Sequence, residues 1–366
     1  MPDWLQNLIQ TLILGLSIGA IYALIAVGYT MVYGVLRLIN FAHGDVYMVG
    51  AMTAYFVGTA GFTVLSWPWW GSPLLWAPVF GAVFLAVFYG GGKGWALEAV
   101  RAFFVAAAAL VFGGLISLWI GSMDKPGWAG VGLALVAAMV VCGALGMLIE
   151  LLAYRPLRSS PRINSLITAI GVSMLLMYGG QAVFGATPKA FPAPVMDNPF
   201  LFQVGGISLG KIDAMIIGVT LVLMLVLRHI VLHTRTGLAL RAVSHRFDTA
   251  SLMGIHIDRI VSLTFVLGSV LAAAAGVLIA CKFPSVNPLM GLMMGLKAFV
   301  AAVLGGIGNI AGAVLGAVLL GLIEVMVNTY VPGGSQWKDG VAFAILIAVL
   351  LIKPSGLLGG KAIEKV

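Results

Sequence analysis

Apolar runs of about 20 residues, the length of a helix across a hydrocarbon core, recur along the whole chain. They fall at residues 8–33, 46–65, 73–90, 101–120, 130–153, 165–184, 211–232, 260–280, 289–305, 311–330 and 340–352. The runs are continuous, not the alternating ~10-residue segments of a membrane β-barrel. This pattern predicts an all-α, polytopic transmembrane helical bundle of about eight to eleven membrane segments. It also predicts a single transmembrane domain over residues 1–366, with first helices at 8–66 and C-terminal helices at 260–353. The later runs are short and broken by glycine, so half-helices are expected among them.

The polar stretches between the runs differ in kind. Residues 34–45 read GVLRLINFAHGD and residues 154–164 read YRPLRSSPRIN. Residues 185–210 form a long, nearly uncharged loop with Pro188, Pro192, Pro194 and Pro199. Trp67, Trp69 and Trp70 suit an interfacial belt. The most polar stretch, 233–259, reads HTRTGLALRAVSHRFDTASLMGIHIDR. Its apolar residues Ala239, Ala242, Val243, Phe247, Ala250 and Met253 recur at helical spacing. Too short and too charged to span, it reads as an amphipathic element at the membrane surface or against a partner protein. Asp248 is expected to cap a second short helix that Gly254 ends, and Asp258 to cap the next span.

Composition agrees. Of 366 residues, 61% are hydrophobic and only 9% charged, which excludes an ordinary soluble core. The net charge of +8 is no sign of nucleic acid, because the bases lie mostly in short loops between spans. If 233–259 is cytoplasmic, counting spans places Arg37, Lys93, the Arg155–Arg158–Arg162 loop, and Lys353, Lys361 and Lys365 on the same side. The expected orientation is therefore N-terminus out and C-terminus in. Residues 1–7 carry an acid and no base, and the first run is too long for a signal sequence, so no cleavable signal is expected. Cys142 and Cys281 form neither a disulfide framework nor a metal site.

Few residues invite chemistry. Lys297 and Glu324 lie inside apolar spans, where a charge is either paired or faces a cavity. They either pair with each other and fix helix packing or line a translocation pathway. Asn40, His43 and Asp45 form a polar cluster suited to helix capping, or to a pathway or its gate; a metal site would need more ligands at fixed spacing. Gly15 and Gly19 would let another helix approach closely. The glycines at 291, 295, 305, 306, 308, 312 and 316 either pack helices tightly or break one. Residues 14–28 weakly echo 290–306. The run GGGKGW lacks the spacing of a phosphate-binding loop, and no HExxH, GxSxG or CxxC pattern occurs. The chain is therefore expected to be no enzyme and to bind no ATP itself.

Four segments carry a family resemblance: GAIYALIAVGYTMVYGVLRLINFAHGDVYMVGAM at 19–52, AYRPLRSSPRINSLITAIGVSM at 153–174, LRAVSHRFDTASLMGIHIDRIVSLTFVLGSVLAAAAGVL at 240–278, and NPLMGLMMGLKAFVAAVLGGIGNIAGAVLGAVLLGLIE at 287–324. The chain resembles the LivH-type permeases of branched-chain amino acid ABC importers, and NFAHGD and KAFVAAVLGGIG are the specific runs. The resemblance implies a permease of the bacterial inner membrane. A second, related permease, two cytoplasmic ATPase subunits that bind ATP and magnesium, and a periplasmic substrate-binding protein would complete the importer, with no cofactor in this chain. It also implies that the loop with Ala-x(7)-Ala-x(3)-Gly spacing couples to the ATPase. Here that spacing falls on Ala242, Ala250 and Gly254, with Arg241 and Phe247 beside it. Two departures stand out. Ser244, His245 and Arg246 occupy a region where the family usually has an acid, which implies a compensating acidic surface on the ATPase. Residues 73–120 look like an added two-span segment.

Alternatives stay open on the residues alone. A urea or short-amide importer keeps the machine and changes the cargo. An ATP-independent secondary transporter or channel needs no coupling loop, and few intramembrane acids suit ion coupling. A membrane enzyme lacks any catalytic constellation.

Overall fold

The structure, a computed structural model, describes residues 2–63, 127–158, 160–191, 199–204 and 206–359. The expected added segment at 73–120, the tryptophans near 67–70, Lys93, and Lys361 and Lys365 lie outside the described residues. The described chain is overwhelmingly helical, and seven of its helices are long and apolar enough to cross a membrane. The order is α1 (Asp3–Leu36), α2 (Ala42–Thr63), α3 (Gly127–Ile149), α4 (Arg162–Phe184), β1 (Lys189–Ala190), β2 (Phe200–Val204), β3 (Ile207–Gly210) and α5 (Lys211–His233). Then come α6 (Arg235–His245), α7 (Phe247–Leu252), α8 (Ile257–Lys282), β4 (Ser285–Val286), α9 (Met290–Gly305), α10 (Ile310–Tyr330) and α11 (Gly334–Ile352).

These helices form two compact units. One gathers the described residues of Met1–Ile39, Met196–Ile260 and Leu292–Val366. The other gathers those of Asn40–Val195 and Val261–Gly291.

In the first unit α1 is the axis. Every residue from Gly19 to Val32 is buried. Its close partner is α10, and the contact is made by glycine. A Cβ on Gly321 would lie 2.4 Å from the Gly19 nitrogen and 2.8 Å from the Gly15 carbonyl oxygen. One on Gly19 would lie 2.8 Å from the Val318 Cα. The small-residue pair read from the sequence thus works as expected, bringing two backbones into contact. The α9–α10 turn is equally tight. Gly306 and Gly308 take positive φ angles of 108° and 95°. Asn309 caps α10, its side chain accepting from the Gly312 N–H at 3.2 Å and donating to the Leu358 carbonyl at 2.9 Å. Both readings open to these glycines are present: Gly305, Gly312 and Gly316 pack backbone against backbone, and Gly306 and Gly308 break the chain between α9 and α10. At 16 residues α9 is the short helix among the C-terminal runs. At 1.5 Å per residue it is about 24 Å long, less than the ~30 Å hydrocarbon core.

The second unit repeats the device with different helices. A Cβ on Gly276 of α8 would lie 2.2 Å from the Tyr47 carbonyl oxygen, and one on Gly50 of α2 would lie 2.6 Å from the Ala273 Cα. After Ile149, α3 continues as a π-helical stretch, Glu150–Tyr154, and a 3₁₀ turn, Arg155–Leu157, with Pro156 in its first turn. Local widening of this kind re-aims the side chains at a helix end.

Two expectations need correction. The proline-rich segment is not wholly irregular: β2 and β3 form an antiparallel hairpin, and β1 pairs with β4. Asp45 and His43 do not stand in an inter-helix loop; both lie in the first turn of α2, and both are buried.

The α1–α10 crossing makes a direct prediction. Gly321→Ala is expected to destabilise the protein by about 1–3 kcal/mol, because the new methyl meets backbone that cannot swing aside. Gly218→Ala on α5, whose Cβ would meet nothing within 4 Å, serves as the control. Thermal midpoints in detergent read the difference, and an unchanged midpoint for Gly321→Ala would contradict the contact.

Candidate functional site

The first polar site grows directly from the glycine contact. Tyr22 follows Gly15 and Gly19 on the same face of α1, and Glu324 follows Gly321 on α10. With the backbones touching, the Tyr22 hydroxyl donates to Glu324 Oε2 at 2.6 Å. Lys297 of α9 donates to the other carboxylate oxygen, Oε1, at 2.8 Å. Its ammonium also lies 2.6 Å from Asp339 Oδ1 of α11. One cation therefore serves two carboxylates and ties three helices to the axis. Lys297 is 5% exposed and Glu324 7%. Of the two readings open for these charges, the pairing is present.

The other two pathway candidates, Asn40 and His43, belong to the second unit. Asn40 is 4% exposed, and its side-chain oxygen accepts from the Tyr154 hydroxyl at 2.9 Å. His43 is 2% exposed, and its backbone N–H donates to the Asn40 carbonyl at 3.1 Å. Asp45 accepts from the Ser173 hydroxyl at 2.5 Å. These contacts bind α2 to α4 and to the end of α3. The structure brings Lys297 and Glu324 together, and Asn40 and His43 together, as two separate pairs.

Sequence reasoning missed Glu150. It is fully buried at the end of α3 and accepts from the Ser262 hydroxyl of α8 at 2.5 Å. Arg155 reaches it at 3.2 Å, and Arg158 pairs with its other oxygen. The signal was present: an acid at the end of an apolar run, followed by arginines five and eight residues on.

The second polar site is the two-helix element expected at 233–259. Thr234 begins it, accepting from the Gly237 N–H at 3.1 Å while donating to the Ile230 carbonyl at 2.5 Å. Gly237 has no room for a side chain, since its Cβ would sit 2.2 Å from that same Ile230 oxygen. This corner turns α6 sharply off α5. Its inner face is Gly237, Leu240 and Val243. Ala250 of α7 is also buried, while Ala242 and Phe247 are half-buried. Arg241 is exposed, and so is Gly254, which ends the element with a φ of 78°. The Asp248 cap and the Met253 face differ from expectation. Arg246 holds the N-cap position of α7, so Asp248 falls inside the helix; Asp258 lies in the first turn of α8, where a carboxylate favours the helix dipole. Met253, expected on the inner face, is 78% exposed beside Leu252 at 86%. The element thus exposes an apolar tip, Leu252–Met253, and also exposes Arg241, His245 and Arg246.

A polytopic helical bundle that pairs Lys297 with Glu324 and Glu150 with Arg155 and Arg158, and which carries a polar element with an apolar tip, has the build of a membrane transport protein. The comparisons name the family. A family model described as "Branched-chain amino acid transport system / permease component" matches residues 99–350. The high-affinity branched-chain amino acid transport system permease protein LivH of Escherichia coli (strain K12) is 36% identical over 371 residues, with 100% of both chains covered. The corresponding permease protein BraD of Pseudomonas aeruginosa is 36% identical over 369 residues, again with 100% of both chains covered. The autoinducer 2 import system permease protein LsrC of Yersinia pseudotuberculosis is 27% identical over 205 residues, 52% of this chain and 54% of that one. No solved structure matches. The chain belongs to the permease component family of the branched-chain amino acid transport system.

The ion cluster is testable by charge removal. Lys297→Met is expected to cost about 3–5 kcal/mol, since it strands buried Glu324 without its cation. Lys297→Met with Glu324→Leu should recover much of that loss in a thermal-midpoint assay. A charge swap, Lys297→Glu with Glu324→Lys, should not recover it, because the new acid would face Asp339. Full recovery by the swap would mean that Asp339 plays no part.

Proposed function

We propose that this chain is the membrane-spanning permease subunit of an ATP-driven importer of branched-chain or related amino acids in the bacterial inner membrane. The observation that carries the reading is the match of about one residue in three over the full length of LivH and BraD, whose names give that transport system. The working assembly is this permease with a second, related permease, two cytoplasmic ATPase subunits and a periplasmic binding protein. ATP and magnesium are bound by the ATPase subunits, and this chain moves the cargo without catalysing a reaction. The N-terminus lies outside and the C-terminus inside, as the distribution of basic loops favours.

In this assembly the α6–α7 element docks on the ATPase. Ala250 holds α7 onto the bundle, and Gly254 sets the turn back into the membrane. Ala242 and Phe247 brace the two short helices, and Arg241 rims the contact. The exposed Leu252–Met253 tip enters an apolar groove, and the basic Ser244–Arg246 segment meets an acidic surface. Asn40, His43, Lys297 and Glu324 border the translocation pathway through the helices they hold in place.

Reconstitution tests the whole reading. The assembled complex in liposomes should take up radiolabelled leucine only with ATP and the binding protein, and uptake without either would overturn it. Within that complex, Gly254→Val and Phe247→Ala should lower uptake per ATP hydrolysed by at least about fivefold, the low end of a coupling free energy between distant sites. Valine cannot hold the left-handed backbone at 254 without strain, although its Cβ meets no neighbour. Normal ratios in both variants would remove the coupling role.

A further inference from the structure

The α6–α7 element does not end in a loose linker. Three residues after Gly254, α8 begins at Ile257 and continues unbroken to Lys282. Its first turns are fastened to the end of α3 by a ladder of three contacts. Ser262, Phe265 and Ser269 lie on one face of α8, and Gly146, Glu150 and Tyr154 face them from α3 and its π-helical extension. Gly146 leaves so little space that a Cβ there would lie 2.8 Å from the Phe265 carbonyl oxygen. The rings of Tyr154 and Phe265 stand 5.1 Å apart. Between these two contacts, the Ser262 hydroxyl donates to Glu150 at 2.5 Å and accepts from Arg155 at 3.1 Å.

Glu150 is the centre of this joint. Both of its oxygens are occupied, one by Ser262 and Arg155 and the other by Arg158. The two arginines sit on the short turn that follows the π-helical stretch, so the carboxylate fixes the shape of that turn and its hold on α8 together. Glu150 and Tyr154 follow Gly146 at steps of four, so the π-helical stretch keeps them on the face that meets α8. We infer that Glu150 is a positioning residue for coupling: it clamps the first turns of α8 to the end of α3, so that displacement of the α6–α7 element is carried along α8 into α3 rather than absorbed at Ser262. This rests on the coupling role proposed above for α6–α7. Nine residues of chain run from Gly254 to Ser262, and the last six, 257–262, are helical.

The test uses the reconstituted importer with leucine as cargo and reads ATP hydrolysed per leucine taken up, together with recovery of the assembled complex. Ser262→Ala removes the α8 end of the clamp without leaving a buried ion and should raise the ratio at least about fivefold with assembly intact. Glu150→Gln keeps the shape and loses the charge that holds the arginines, and should raise the ratio further. Glu150→Asp, which restores the charge, should return it toward the unmodified value. A merely structural role would lower the yield of assembled complex and leave the ratio of the surviving complexes unchanged. An unchanged ratio in Ser262→Ala overturns the inference, whether or not Glu150→Gln assembles. If Gly254→Val uncouples and Ser262→Ala does not, the clamp fails and the docking role stands. If neither uncouples, the docking role itself fails.

Discussion

Everything in the first unit depends on two helix backbones touching. Lipid offers no hydrophobic reason for apolar helices to associate, so close approach and the contacts it permits must hold them. Gly15, Gly19 and Gly321 remove the side chains that would keep α1 and α10 apart. Only at that separation does the short reach of a tyrosine hydroxyl meet Glu324. The carboxylate in turn fixes the ammonium of Lys297, and through it Asp339. A buried ion cluster of this kind adds little net stability by itself, since desolvation offsets its attraction. It specifies which helices are neighbours and in what register.

The second unit solves the same problem with another mixture. Gly50 and Gly276 bring α2 and α8 together, and Gly146 does so for α3 and α8. Around those contacts sit hydroxyls and carboxylates: Tyr154 to Asn40, Ser173 to Asp45, Ser262 to Glu150. In the last two, donor and acceptor lie on different helices, and in the first Asn40 stands just before α2. Small residues give proximity, and polar pairs turn it into a defined alignment.

Hydropathy made the helices legible because a membrane helix must be apolar for its whole length and satisfy its own backbone. The Gly15–Gly19 pair and the Lys297–Glu324 pair were legible for related reasons: each is a local exception to an apolar run. The two short helices of 233–259 were legible from spacing, and the stop at Gly254 from the backbone freedom of glycine. What stayed hidden depends on geometry away from the chain. Met253 reads as an inner-face residue on a single continuous helix, but the break at Arg246 resets the phase and turns it outward. Glu150 sits where a span gives way to a basic loop, a place where a charge looks solvated; the π-helical turn that buries it leaves no pattern in hydropathy. Asp339 lies in the first turns of α11, and nothing local marks it as the second partner of Lys297.

The shared ammonium of Lys297 also limits how the protein can move. A transport cycle needs some helices to separate from others. Parting α9 from α10 would leave a buried ammonium and a buried carboxylate unpaired, and parting α11 from both would strip Lys297 of its second counter-charge. Separation along those boundaries therefore carries an electrostatic cost. One buried cluster therefore holds α9, α10 and α11 to α1, and any rearrangement that separated them would have to break it.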